Sequence, residues 1–173
     1  MARAFDMWAK ETQLKLNYVE KQNDPADINI NFFAGKHGDG VPFDGPEGVL
    51  AHAQFPTDGS VHFDDEENWL LGNKAQNKGT ELFNVAAHEF GHALGLDHTN
   101  VREAVMYPFY SYSSNMVLHP DDIDGIQSLY GKPGKNGKTG KAGKTGKAGK
   151  TGKTGKTGKT RKPGKTGKPG KQG

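Results

Sequence analysis

The chain has 173 residues, no cysteine and a formal net charge of +3. That small net charge hides an asymmetry: residues 131–173 carry fourteen lysines, one arginine and no acidic residue, whereas residues 1–130 carry eight basic and twenty acidic residues. No apolar run is long enough to cross a membrane, so no transmembrane segment is expected in these residues. The composition predicts two regions: a globular domain over residues 1–130 and a cationic tail over residues 131–173.

Several segments of the first region have the periodicity of helices or strands. Phe5 and Trp8 lie three residues apart, as on one face of a helix, and other segments alternate apolar and polar residues as strands do. In chain order the predicted elements are a helix over Arg3–Lys10, strands over Leu14–Val19, Ile28–Phe32 and Val49–Phe55, and helices over Thr80–Leu94 and Pro120–Tyr130. Thr80 is the predicted N-cap of its helix. These elements fit a mixed α+β fold.

The most specific motif is the sequence HEFGHALGLDH, which begins at His88 in the longer predicted helix. His88 and His92 are four residues apart, so they share one helix face and can hold one metal ion. Glu89 can deprotonate a water at the metal, and Gly95 lets the chain leave the helix so that His98 returns as a third ligand. Three protein ligands leave one position open, as in catalytic zinc sites. The alternative is a buried amphipathic helix that is rich in histidine by chance. The match at all five fixed positions of the long motif weighs against that alternative.

A methionine follows this motif. Met106, in the sequence AVMYP, lies eight residues after His98. A lone methionine is more often core filler, but metzincin peptidases follow the long zinc motif with a turn that carries a methionine. In this context the sequence favours the methionine turn.

The region upstream of the zinc motif narrows the resemblance. HGDGVPFDG begins at His37, LAHA begins at Leu50, and HFDDEE begins at His62. Together with the zinc motif, these sequences resemble the catalytic domain of a matrix metalloproteinase (matrixin) from about Ala2 to Gly131, with one shortened loop. The resemblance implies an α+β metzincin zinc-protease fold, in which a twisted mixed sheet packs on long helices.

The resemblance implies a second, structural zinc. Its ligands would be His37, Asp39, His52 and His62. Three imidazoles and one carboxylate make a closed tetrahedral site with no position left for a substrate. The sequence therefore predicts two zinc ions per chain.

The resemblance also implies at least one calcium ion, and oxygen ligands around a glycine-rich turn suit Ca²⁺. The ligands would be the carboxylates of Asp44, Asp64 and Glu67 and the backbone carbonyls of Gly45, Glu47 and Val49. The alternative is that residues 64–67 are only a solvated acidic run. Asp27 matches one ligand of a possible second calcium, but the loop over residues 56–61 is shortened and lacks the family's glycine-rich pattern.

A peptide substrate would be held in two ways. The strand around Leu50 and Ala51 would be the sheet edge to which an extended peptide adds as an antiparallel strand. The pocket for the side chain just after the cut would be lined by Asn84, Pro108, Phe109 and Tyr110. The family often has leucine where this chain has Asn84. Because asparagine is polar, it stays open whether this pocket prefers large apolar side chains.

The acidic pair Asp121 and Asp122 lies in the first turn of the last predicted helix, where the helix dipole favours negative charge. The resemblance implies that Asp121 supports the methionine turn and that Asp122 pairs with the mature N-terminal ammonium. The family's first strand has no counterpart before the first helix. A truncated piece of a longer secreted precursor is favoured over a reduced, constitutively active protein, and without cysteine the chain holds no inhibitory cysteine segment.

Glycine recurs at every third position of the tail, except at Arg161. This period is the signature of a collagen triple helix, because only glycine fits at the axis of three packed chains. Lysine follows nearly every glycine of this repeat, so three such chains would repel one another, and proline is sparse. A triple-helical homotrimer and a disordered polycation therefore both stay open. The charge predicts binding to polyanions or anionic surfaces. Without aromatic residues to stack on bases, specific recognition of nucleic acid is not expected.

The sequence thus predicts a secreted, zinc-dependent metalloendopeptidase that hydrolyses internal bonds of proteins of the extracellular-matrix type. Glu89 would be its general base. The alternative function is a collagen-like structural or adhesive protein whose protease-derived domain is inactive. Retention of Glu89 weighs against that alternative, since a binding module has no need of this carboxylate.

Overall fold

The computed structural model describes residues 1–19, 25–72 and 78–134. Within these residues the elements are helix α1 (Ala2–Ala9), strands β1 (Asn29–Phe33), β2 (Ala51–Ala53), β3 (Ser60–Asp64), β4 (Trp69–Leu70) and β5 (Thr80–Glu81), and helices α2 (Leu82–Ala93) and α3 (Pro120–Tyr130). The predicted α+β class is confirmed. The predictions for the tail beyond Gly134 lie outside the described residues.

The main sheet has three strands in the order β1–β3–β2. β1 runs parallel to β3, and β2 runs antiparallel to it, so the sheet is mixed as predicted. Val61 and Phe63 on the central strand are fully buried. β2 is an edge strand of the described sheet, with β3 on one side only.

Helix α2 is the centre of the helical layer. Trp8 on α1 donates its indole N–H to the carbonyl of Ala87 at 2.8 Å, and Phe5 stacks on Phe90 with ring centroids 3.7 Å apart. Gly91 permits close packing, because a Cβ there would collide with the sulfur of Met106. None of the described helices is long and apolar enough to span a membrane.

Two predictions of secondary structure were wrong. Leu14–Val19 alternates like a strand but pairs with no strand among the described residues, and Tyr18 is 88% exposed. A strand needs a ladder partner as well as a pattern. The zinc helix begins at Leu82 rather than at Thr80, because Thr80 pairs with Trp69 in a two-stranded parallel sheet. Its N-cap is therefore the next residue, Glu81.

Candidate active site

Three imidazole nitrogens converge at the end of α2. The Nε2 atoms of His88 and His92 lie 3.0 Å apart, and the Nε2 of His98 lies 3.3 Å and 3.1 Å from them. A tetrahedral zinc ion with Zn–N bonds of about 2.0–2.1 Å requires nitrogens about 3.3 Å apart. The three side chains thus have the spacing of ligands to one zinc ion.

Backbone carbonyls orient the two helical histidines. Nδ1 of His88 hydrogen-bonds the carbonyl of Val105 at 2.7 Å, and Nδ1 of His92 hydrogen-bonds the carbonyl of Leu96 at 2.7 Å. Since a carbonyl only accepts, each Nδ1 carries the proton and each Nε2 presents a lone pair. Gly95, with φ of +100°, makes the turn that brings the Leu96 carbonyl back to the helix.

Burial keeps these imidazoles neutral. It lowers the pKa of His88 to about 3, with His92 and His98 adding to the shift. Burial also lowers the pKa values of His92 and His98. Neutral imidazoles are the form that binds a metal ion.

Glu89 is a buried acid beside these ligands. It is 1% exposed, and its Oε2 is buried with no hydrogen-bond partner among the described residues. Burial raises the pKa of Glu89 to about 8. A nearby dication favours the ionised carboxylate. The converging nitrogens and this orphaned oxygen therefore fit a zinc ion.

The turn that carries Met106 packs against α2. Met106 is 2% exposed, and its carbonyl accepts from the Thr99 N–H at 3.0 Å. Through its neighbour Val105 this turn also supplies the acceptor for His88. The turn therefore helps to fix a candidate zinc ligand.

Asp122, not Asp121, supports this turn, so that prediction was wrong. Its carboxylate accepts from the N–H groups of Val105 at 2.8 Å, Met106 at 3.0 Å and His119 at 2.8 Å, and it is 2% exposed. Asp121 is exposed, and its backbone N–H donates to Nδ1 of His119 at the helix N-cap. Neighbouring helix positions point about 100° apart, so only one of the pair faces the turn.

A second cluster lies at the main sheet. Oδ2 of Asp39 lies 2.9 Å from Nε2 of His37, 2.7 Å from Nε2 of His52 and 3.0 Å from Nδ1 of His62. The ladder places His52 on β2 opposite His62 on β3. Burial raises the pKa of Asp39, but hydrogen bonds from the Val41 N–H, His52 and His62 outweigh it and hold this pKa well below its usual range. The carboxylate is therefore ionised, as a metal ligand must be.

The carboxylates among the predicted calcium ligands lie around one loop, and two of them accept backbone hydrogen bonds there. Oδ1 of Asp44 accepts from the Val49 N–H and Oε1 of Glu67 accepts from the Glu47 N–H, both at 2.7 Å. Oδ2 of Asp64 is buried without a partner among the described residues. Among the described residues, only the two histidine clusters bring three or more side-chain ligand atoms of His, Asp or Glu within 4.8 Å of one another, so the three predicted carboxylates do not form such a group.

Two further features bear on calcium. Gly45 has φ of +83°, which permits the turn between the predicted carboxylate and carbonyl ligands. Asp27 belongs to neither of the histidine clusters, and its carbonyl lies against Gly59. Both calcium sites therefore stay predictions.

The edge strand β2 lies beside the histidine cluster of α2. Phe55, two residues beyond β2, meets the ring of His92 edge-on with centroids 5.7 Å apart. The carbonyl of Leu50 accepts from the Asp64 N–H at 2.9 Å, so by alternation the backbone groups of Ala51 face away from β3. Of the two predicted residues, Ala51 is thus the one available to an added peptide strand.

A cavity of about 50 Å³ is lined in part by His88. Asn84, Phe109 and Tyr110 line it, whereas Pro108 does not. Arg102 also lines it, which sequence reasoning missed because it stands in an irregular segment without a motif. Sequence reasoning also missed the carbonyls of Val105 and Leu96, which orient His88 and His92. Every residue has a backbone carbonyl, so residue type does not indicate this role.

Comparison with known proteins identifies the family. Residues 1–131 match the family model described as Matrixin, and residues 124–173 match a collagen triple helix repeat. The chain belongs to the matrixin family. It is 49% identical to stromelysin-3 of Mus musculus over 136 residues (77% of this chain, 27% of that protein). It is 48% identical to matrix metalloproteinase-16 of Homo sapiens over 143 residues (77% and 23%), and 52% identical to the hatching enzyme of Paracentrotus lividus over 130 residues (75% and 22%).

This matrixin chain spans about a quarter of the length of the curated relatives it matches. Family membership implies zinc, and the described residues contain two groups that are able to hold a metal ion. The matched family confirms the metzincin fold expected from the motif.

Proposed function

We propose that this matrixin is a zinc-dependent endopeptidase that hydrolyses internal peptide bonds of proteins. The observation that carries the proposal is the convergence of three imidazole nitrogens, 3.0–3.3 Å apart, beside the buried acid Glu89, whose Oε2 has no hydrogen-bond partner among the described residues. When bound, zinc supplies a Lewis acid that lowers the pKa of water and polarises a carbonyl.

The side chains and backbone of the protein would bind the metal, move the proton and orient the substrate. His88, His92 and His98 would hold the zinc through Nε2. The carboxylate of Glu89 would accept a hydrogen bond from the attacking water, take its proton as the new C–O bond forms, and pass that proton to the leaving nitrogen as the C–N bond breaks. The backbone of Ala51 aligns the peptide as an added strand.

Metal removal tests this proposal. The full chain is expected to cut a quenched generic matrixin peptide, to lose that activity with a zinc chelator, and to recover it when zinc is restored. Fluorescence would follow the cleavage, and circular dichroism would show that the chain stays folded. If the folded, zinc-loaded chain does not cut the peptide, the endopeptidase proposal fails.

We also propose a second, structural zinc at His37, Asp39, His52 and His62, and calcium at the loop that holds Asp44 and Glu67. The convergence of three imidazoles on one carboxylate oxygen supports the zinc. Oδ2 of Asp64, which is buried and has no hydrogen-bond partner within residues 1–19, 25–72 and 78–134, supports the calcium.

Replacing His62 with alanine is expected to lower the zinc content from two ions to one per chain, since three ligands hold structural zinc more weakly than four. Elemental analysis of the dialysed protein measures the content. His119→Ala is the matched control, because His119 belongs to neither cluster. Two retained zinc ions in His62→Ala would rule out this second site.

The remaining parts of the proposal concern the tail and the surroundings of the protein. The collagen-repeat match supports a domain boundary near residue 130 and a homotrimer. The fourteen lysines and one arginine beyond that boundary support binding to anionic polysaccharides or surfaces. We infer that the protein acts outside the cell on proteins of the extracellular-matrix type.

A further inference from the structure

One wall of the cavity that His88 lines is an irregular segment, residues 107–116. The residues of this segment that line the cavity are Tyr107, Phe109, Tyr110, Ser111 and Met116. No helix or strand of the described residues includes any part of the segment. The other wall is helix α2, through Asn84, Val85 and His88. Because the segment belongs to no regular ladder of hydrogen bonds, the shape of the cavity depends on the individual contacts that hold this wall.

Two hydrogen bonds tie the segment to the start of α2. The N–H of Glu81, the N-cap of the helix, donates to the hydroxyl of Tyr110 at 3.1 Å. Nδ2 of Asn84, in the first turn of the helix, donates to the carbonyl of Ser113 at 3.2 Å. The two bonds reach the segment at positions three residues apart, so they hold its middle against a rigid element.

Asn84 is a polar side chain in a buried position. It is 2% exposed, and its Oδ1 is buried without a hydrogen-bond partner among the described residues. A buried acceptor in that state destabilises the fold, whereas an apolar side chain of the same shape would not. Since the carbonyl of Ser113 only accepts, Nδ2 is the atom of the amide that faces it. The contact that Asn84 makes and leucine could not make is therefore the one to the segment.

We infer that Asn84 and Tyr110 are positioning residues, which hold this segment in place before a substrate binds. The inference rests on the proposed endopeptidase function. His88 is a candidate zinc ligand and lines the cavity, so a peptide bound at the metal has the cavity beside it. A wall that is already ordered loses little conformational entropy when a substrate side chain binds against it. Without the two hydrogen bonds, substrate binding has to order the segment first. KM then rises, while kcat of the bound peptide is retained.

Two variants of the full chain test the inference. Tyr110→Phe removes the hydroxyl that accepts from Glu81, and Asn84→Leu removes the donor to Ser113 with little change of shape. Each is expected to raise KM for a quenched generic matrixin peptide by about 5-fold at an unchanged kcat, the factor that corresponds to one net hydrogen bond. Hydrogen exchange should show the cause, because the backbone amides of residues 109–113 should exchange faster by about the same factor.

Tyr18→Phe and Asn17→Leu are the matched controls, because both positions are exposed and lie outside the cavity. Both controls should keep the wild-type KM and exchange rates. Wild-type exchange in both test variants would overturn the inference, since other contacts would then hold the segment. Faster exchange with a lower kcat and an unchanged KM would also overturn it, because the hydrogen bonds would then stabilise the fold without shaping the cavity. Tyr110→Phe removes a single oxygen, so it decides the matter if Asn84→Leu fails to fold.

Peptide binding separates this inference from the proposed function. If the folded, zinc-loaded wild type does not cut the peptide, the endopeptidase proposal fails, and the Kd of the uncut peptide takes the place of KM. A Kd about 5-fold higher in Tyr110→Phe and Asn84→Leu than in the wild type would leave the positioning role standing. An unchanged Kd would overturn that role as well.

Discussion

Replacing Glu89 with glutamine is expected to slow peptide cleavage by about 10²–10⁴-fold, because a general base contributes a factor of this size. Glutamine has nearly the same volume as glutamate, so the packing around this buried side chain is kept. Its amide cannot take a proton from the attacking water. The zinc content should stay at the wild-type value, since the ligand nitrogens belong to His88, His92 and His98.

The measurement is kcat/KM on the quenched peptide together with zinc content by elemental analysis. Glu103→Gln is the matched control, because Glu103 is exposed and should retain wild-type activity. Wild-type activity in Glu89→Gln would remove Glu89 from the mechanism. Loss of zinc in that variant would show that the carboxylate acts on the metal site and not on the water.

The zinc motif could be read from the sequence because its geometry is local. Two histidines four residues apart on a helix have their relative positions fixed by the helix itself. The return of His98 needs only one turn, and Gly95 provides the positive φ for it. Hence the geometry of this site depends on few contacts with distant parts of the chain.

Other features depend on partners that a sequence does not show. Leu14–Val19 has the pattern of a strand, but a strand forms only where another strand offers a ladder. Thr80 is a good N-cap residue, yet pairing with Trp69 places it in a strand instead. In the first case a missing strand partner, and in the second an added one, outweighed the local preference for secondary structure.

The choice between Asp121 and Asp122 has the same cause. Both residues stand in the first turn of α3, and the helix dipole favours either one. Only packing of that helix against the methionine turn decides which carboxylate meets the N–H groups of Val105 and Met106.

Replacing Asp122 with alanine is expected to lower the free energy of unfolding by at least about 3 kcal/mol, because three backbone N–H groups lose their acceptor at about 1 kcal/mol or more each. Asp122→Asn should lose less, since one acceptor oxygen remains. Asp121→Ala should lose less than about 1 kcal/mol, the contribution of an exposed acid to a helix dipole. Denaturant unfolding of the zinc-loaded chain measures all three.

The same carboxylate is expected to act on the metal site at a distance. Asp122 holds the N–H of Val105, and the carbonyl of Val105 orients His88. Loss of such outer contacts typically weakens metal binding by about 10–100-fold, so Asp122→Asn should release zinc to a competing chelator more readily than Asp121→Asn does. Equal zinc affinities in these two variants, with Asp122→Asn still less stable, would mean that Asp122 supports the turn without positioning the ligand.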